Sequence, residues 1–112
     1  MLFDSLRSFA LSFDGAFEDH PFGLDTTVYK APNAKMFVIC SEDATGAVLA
    51  TVKLTPDEGA AALTLPFVSV ARYVGRYGWV TAHIREEVEL DITLEWVRRS
   101  FEIVAPKRRA KP

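Results

Sequence analysis

The segment VLATVKLTPDE, residues 48–58, contains the two patterns that decide the fold. Apolar residues alternate with more polar ones over residues 48–53, which is the period of a β-strand with one face in a core. Thr55, Pro56 and Glu58 then follow with the spacing of a capping box, in which threonine and glutamate bond the first free amides of a helix. The segment therefore predicts a strand that leads into a short helix ending near Leu63.

Further strands are predicted on both sides of this segment. Residues 27–31 and 35–41 are rich in β-branched and aromatic side chains, and Pro32-Asn33 separates them with a turn. With residues 48–54 they form an antiparallel meander. Upstream, His20-Pro21-Phe22-Gly23 predicts a turn-rich connector between two strands, and downstream Tyr77 to Ile84 has strand character.

Two long helices are predicted at the ends of the chain. Apolar residues recur at intervals of three and four over Leu2 to Phe13, and again from Asp91 to a stop before Pro106. We therefore expect a single α+β domain over residues 1–105, with helices packed on one face of an antiparallel sheet. Residues 106–112 form a basic tail that we expect to be disordered.

The charge distribution bears on the kind of partner. Four of the thirteen Lys and Arg residues lie in the last six positions, which leaves nine against fifteen acidic residues and a net charge of −6 for the rest. Because affinity for nucleic acid depends on cations that displace counterions from phosphates, this acidic body disfavours DNA binding.

Several function classes lack support in the sequence. Cys40 is the only cysteine, so neither an internal disulfide nor a cysteine metal cluster can form. His20, His83 and Cys40 show no spacing that links a nucleophile to a base, so we expect no enzyme, cofactor or metal site. No apolar run resembles a signal peptide or a membrane span, and we expect a cytoplasmic protein without a membrane partner.

A family resemblance covers almost the whole chain. It is carried by these segments in order: His20-Pro21-Phe22-Gly23, Tyr29-Lys30, Lys35-Met36-Phe37, Leu54-Thr55-Pro56-Asp57, Gly78-Trp79 and residues 99–105. They resemble the MmcQ/YjbR family. The resemblance implies a fold similar to CyaY and frataxin, and it implies DNA binding, because some members are described as having a double-wing DNA-binding arrangement. The family's lysines map onto Lys35 and Lys53, and its late tryptophan maps onto Trp79.

Strand alternation predicts one candidate site. It places Trp79 and Lys53 on the sheet face opposite the helices, and it places Lys35 and Phe37 together as a comparable pair. Lys30 or Tyr29 borders this patch, depending on strand order. The family resemblance adds Arg76, which stands where relatives often have lysine. The nucleic-acid-binding candidates are Lys30, Lys35, Lys53, Arg76 and Trp79.

Two functions stay open at this point. The first is a non-enzymatic protein that binds DNA weakly and in a salt-dependent manner, through a basic and aromatic sheet face. The alternative is a protein-interaction or self-association module that uses the same patch around Trp79.

Overall fold

The computed structural model describes residues 2–71 and 78–106. Its elements in chain order are α1 (Leu2–Leu11), β1 (Phe17–Asp19), β2 (Thr27–Lys30), β3 (Met36–Glu42), β4 (Val48–Lys53), α2 (Pro56–Ala62), β5 (Val68–Val70), β6 (Trp79–Ile84) and α3 (Glu87–Val104). Three predicted features fall on residues outside this description: Arg76, the start of the last strand at Tyr77, and the basic residues of the tail.

The six strands form one antiparallel sheet in the order β1-β2-β3-β4-β6-β5. Helix α3 packs against the central strands β3, β4 and β6, and α1 packs against α3. Helix α2 contacts β6 on this same side, where a Cβ on Gly59 would lie 3.7 Å from the buried Val80. The expected α+β domain, with helices on one face of an antiparallel sheet, is therefore confirmed.

Most of the core lies between the helices and the sheet. Buried and half-buried residues alternate along β4 and β6, as the sequence pattern predicts. Aromatic rings join the two ends of the chain here: Phe13 stacks on Phe101 with ring centroids 4.7 Å apart, and Phe37 meets both rings edge-on. Apolar burial and these ring contacts hold α3 on the sheet.

A β-bulge corrects one prediction. Tyr29 pairs with Val38, but the next residue, Lys30, pairs with Met36, so Phe37 is the extra residue of the bulge. Phe37 is fully buried among the aromatic rings of the helix side. The prediction that Lys35 and Phe37 form a pair comparable to Lys53 and Trp79 was therefore wrong, because the bulge turns Phe37 to the helix side.

Other differences concern element ends. Helix α1 ends at Leu11 rather than Phe13, and α3 begins at Glu87 rather than Asp91. The early start of α3 has a local cause, because the carboxylate of Glu89 accepts hydrogen bonds from the backbone amides of Arg85 and Glu86. Strands β1 and β5 were not delimited in advance, since each has only three residues.

Candidate functional site

Lys53 and Trp79 are direct cross-strand partners on the helix-free face of the sheet, the face opposite the helices. Two backbone contacts fix their positions. The amide of Leu54 donates a 3.0 Å hydrogen bond to the carbonyl of Gly78, and the amide of Lys53 donates a 2.8 Å hydrogen bond to the hydroxyl of Ser100 in α3. The ends of β4 and β6 that carry the site are therefore tied together and to the core.

Gly78 is required by this arrangement. Its φ of +89° is a conformation that residues with a side chain rarely adopt. A Cβ at this position would also lie 2.1 Å from the carbonyl oxygen of Leu54. The glycine therefore allows the two backbones to approach closely just before Trp79.

A strand places Lys30 beside Lys53 and Trp79, and a turn places Lys35 there. Lys30 pairs with Met36 and so lies on the helix-free face. Lys35 lies in the turn between β2 and β3, where its amide donates to the side chain of Asn33, and Asn33 in turn donates a 2.9 Å hydrogen bond to the carbonyl of Val104. The end of α3 thus anchors the turn that presents Lys35.

Together these residues surround one surface depression of about 500 Å3, which we call the basic depression. It is lined by Pro21, Phe22, Lys30, Ala34, Lys35, Met36, Lys53, Trp79 and Val104. Four of the five candidate residues are therefore brought together, and the fifth, Arg76, lies outside the described residues. Tyr29 does not border the depression, because it is buried on the helix side.

The charges of the depression are unequal. Lys30 donates a 2.7 Å hydrogen bond to Asp19, and this contact is the main reason why the pKa of that carboxyl is lowered. Over residues 2–71 and 78–106, Lys35 and Lys53 have no carboxylate within ion-pair distance. Arg7, Arg98 and Arg99, by contrast, all pair with glutamates. Among the described residues, Lys35 and Lys53 are therefore positive charges without an ion-pair partner, and both lie beside Trp79.

A second and larger cavity continues along the helix-free face. This sheet groove has a volume of about 850 Å3 and shares Phe22 and Met36 with the basic depression. Its other lining residues are Thr26, Ile39, Ser41, Leu49, Thr51, Ser69, Val70, Thr81 and His83. No sequence pattern predicts this groove as a whole. Strand alternation signalled part of it, because Thr51, Thr81 and His83 follow Lys53 and Trp79 on the same face.

The groove brings His83 to a serine that the sequence analysis did not consider. The ring Nε2 of His83 lies 2.8 Å from the hydroxyl of Ser69, on the neighbouring edge strand. Within the part of the chain that the structure describes, no acidic side chain bonds to this ring. The pair therefore lacks the third group that orients the base in a nucleophilic site.

The remaining single residues have structural surroundings. His20 lies 3.4 Å from the Thr27 hydroxyl and 3.8 Å from a Glu18 oxygen at the surface. Cys40 is fully buried, and burial raises the pKa of its thiol. Residues 2–71 and 78–106 contain no cluster of three or more potential metal ligands, and no helix among them is long and apolar enough to cross a bilayer.

Comparison with known proteins identifies the family. A family model named YjbR matches residues 11–103, which is most of the chain. The chain belongs to the YjbR family. No curated protein matches its sequence.

Two solved structures share the fold of this YjbR chain. Deinococcus radiodurans protein DR2400, which carries the domain DUF419, has a TM-score of 0.78 at 20% sequence identity, over 91% of this chain and 77% of that protein. A protein from Pseudomonas syringae has a TM-score of 0.71 at 15% identity, over 89% of this chain and 96% of that protein. At these identities the likeness concerns the fold alone.

Proposed function

We propose that this YjbR protein is a non-enzymatic DNA-binding protein that contacts a single strand at the basic depression. The observation that carries the proposal is the position of Lys30, Lys35 and Lys53, which are all the lysines in the described part of the chain. They come from three different segments, yet all three line the depression that contains Trp79.

The chemistry of the depression suits an unpaired nucleotide. An indole ring offers a flat surface on which any base can stack, and such stacking contributes about 1–3 kcal/mol per base. The ammonium groups of Lys35 and Lys53 can meet the phosphates on either side, because no carboxylate of the described residues neutralises them. In duplex DNA the bases are stacked on one another, so the ring of Trp79 has no free base to contact. A single strand is therefore the preferred form.

The same charges limit the affinity. For single strands, log K falls against log salt with a slope of about −0.7 per phosphate neutralised, so two or three lysines give a slope of about −1.4 to −2. The acidic body of the protein opposes the approach of DNA. We expect weak binding that declines with salt.

The test is an NMR titration of the labelled protein with oligothymidylate over a salt series, with a duplex of mixed sequence as a second arm. The backbone signals of Lys53 and Trp79 should move at low salt and return towards their free positions as salt is raised. Lys35→Ala combined with Lys53→Ala should reduce the salt slope by about 1.4. Trp79→Leu should weaken binding by about 1–3 kcal/mol through the loss of stacking.

Arg98→Ala is the matched control, since it also removes one positive charge but lies exposed on α3, on the opposite side of the sheet. Its titration should match that of the parent. If neither DNA form moves the Lys53 and Trp79 signals at low salt, the proposal is wrong. Equal losses for Arg98→Ala and Lys53→Ala would also contradict it, because the site would then have no defined position.

A second candidate, a protein-interaction or self-association module, is favoured by a separate observation. The loop that begins at His20 exposes 62% of Phe22 and 90% of Leu24, and Phe22 borders the basic depression. Exposed apolar residues beside an aromatic ring are typical anchors of protein contacts. Self-association that is insensitive to salt and is lost in Trp79→Ala, measured by analytical ultracentrifugation, would favour this candidate over DNA.

A further inference from the structure

The side chains of the sheet groove are arranged in rows across the strands. Ile39, Thr51, Thr81 and Ser69 are successive cross-strand neighbours and form a central row. Ser41, Leu49 and His83 form the next row. On the other side of the central row lie the partners Lys53 and Trp79, which belong to the basic depression. Along the direction of the strands, the helix-free face therefore changes from a row that contains Lys53 to a row that has no lysine or arginine and contains Leu49.

The change is clearest along β4. On the helix-free face this strand carries Lys53, Thr51 and Leu49, in that order; Thr51 and Leu49 line the groove, and Lys53 lines the basic depression. Lys53 and Leu49 are four residues apart, so about 13 Å separates the cationic end from the apolar end at about 3.3 Å per residue. A molecule with one charged end and one apolar end could therefore satisfy both at once.

Polar groups at the centre of the groove already have partners. The hydroxyls of Thr51 and Thr81 lie 2.8 Å apart, and Ser69 is bonded to His83. Each of these groups keeps this hydrogen bond when an apolar chain lies beside it, which lowers the cost of covering it. The volume of about 850 Å3 falls within the range of small-molecule sites, which combine apolar walls with a few polar groups.

We propose that the sheet groove binds a small amphipathic carboxylate, with its apolar chain beside Ile39 and Leu49 and its carboxylate at Lys53 and Lys35. Charge complementarity selects the carboxylate, because these two lysines lack a carboxylate partner among the described residues. Lys30 contributes less to carboxylate binding, since it already forms an ion pair with Asp19. This inference does not rest on DNA binding, because most of the groove lies beyond the basic depression.

The probe is sodium decanoate below its micelle concentration, added to the labelled protein and followed by NMR without any nucleic acid. The backbone signals of Leu49, Thr51 and Thr81 should move together with that of Lys53. Decanol and butyrate are the matched ligands, because each retains only one of the two ends. Each should bind about tenfold more weakly than decanoate, or not at all, since one charge-assisted contact or one apolar contact is missing.

Variants separate the two ends of the site. Lys53→Glu should weaken decanoate by about tenfold or more while leaving decanol unaffected. Leu49→Asn should weaken both ligands, and Arg98→Ala should weaken neither. Because the chain-length and head-group series is measured on the parent protein, the proposal can be tested even if Leu49→Asn fails to fold.

Three outcomes would overturn the proposal. These are equal binding of decanol and decanoate, an affinity for decanoate that Lys53→Glu does not change, and shifts centred on the helices rather than on β4 and β6. If the protein binds decanoate but not oligothymidylate, the result supports the ligand site in the groove and contradicts the proposed DNA function. The reverse result would overturn the groove alone.

Discussion

Among the described residues, Tyr29 has a buried hydroxyl that lacks a hydrogen-bond partner. Its side chain is fully buried on the helix side of β2, and its hydroxyl has no hydrogen-bond partner in the described structure. Burial is the main cause of the raised pKa of this phenol, so it stays protonated at all ordinary pH values. A buried hydroxyl without a partner costs the free energy of its lost hydration.

Tyr29→Phe should therefore leave the protein as stable as the parent or up to about 1 kcal/mol more stable, because the ring stays in place and the unpartnered hydroxyl is removed. Urea unfolding followed by far-UV circular dichroism measures the difference. Tyr29→Leu serves as the control, since it removes the hydroxyl but also loses ring volume and should be destabilising. A loss of more than about 1 kcal/mol in Tyr29→Phe would show that the hydroxyl has a partner after all.

At the scale of elements, the start of α2 depends on one carboxylate with two tasks. Glu58 accepts a 3.0 Å hydrogen bond from the amide of Thr55 and completes the capping box. The same carboxylate accepts a bifurcated hydrogen bond from Nε of Arg99 in α3, with its two oxygens at 2.9 and 3.1 Å. The amide of Thr55 is the main cause of the lowered pKa of Glu58, and Arg99 adds to it.

This lowered pKa predicts a pH dependence of stability. A carboxyl whose pKa is lower in the folded state contributes fully above its unfolded value, near 4.5, and loses that contribution as the pH falls through the folded pKa. Glu58→Gln keeps a side chain that can cap but cannot ionise. Its free energy of unfolding should lie about 0.5–1 kcal/mol below that of the parent at pH 7, and the two should converge towards pH 3.

The measurement is urea unfolding at a series of pH values between 7 and 3. Glu42→Gln is the matched control, because Glu42 is exposed at the end of β3 and should show no such convergence. A constant difference between Glu58→Gln and the parent over the whole pH range would contradict the prediction.

Individual elements differ in how well the sequence predicts them. The strand and helix around residues 48–62 were predicted closely, because alternation and a capping box are local signals. Strand β5 was missed, and β1 was expected only as a strand of unstated length before His20, since three residues are too few to show a period of two. The first turn of α3 was missed because Glu86 is not a common helix-capping residue.

At the scale of the whole molecule, the two faces of the sheet have different tasks. The helix side contains most of the buried apolar residues, while the helix-free face contains the three described lysines, the basic depression and the sheet groove. Substitution of a surface lysine that has no partner usually changes the free energy of unfolding by less than about 0.5 kcal/mol. Loss of a single buried methyl group costs about 0.5–1.5 kcal/mol.

We therefore expect the free energies of unfolding of Lys35→Ala and Lys53→Ala to lie within about 0.5 kcal/mol of the parent value. Ile84→Val, on the helix side, should lower the free energy of unfolding by about 0.5–1.5 kcal/mol. Urea denaturation at one pH and salt concentration measures all three. A large loss in either lysine variant would mean that the helix-free face also supports the fold, and effects of that variant on binding would then have no simple interpretation.

The site itself was predicted only in part, for reasons that belong to this scale. The cross-strand pair of Lys53 and Trp79 follows from alternation within two strands. The position of Lys35 beside them depends on a turn that is hydrogen-bonded to the end of α3. The burial of Phe37 depends on a bulge. Both are consequences of strand order and packing between distant segments, which no local pattern contains. The likeness to CyaY stays a prediction.

The shortness of the two outermost strands limits how another chain can attach. An edge strand recruits a foreign strand through its row of unpaired backbone amides and carbonyls, and this is also how many sheet proteins begin to form fibrils. Strands β1 and β5 offer only three residues each, so each presents too short a template for a stable added strand. The fold is thereby protected against open-ended growth from the edges of this sheet, and a partner gains more by engaging side chains on its face than by extending its backbone ladder.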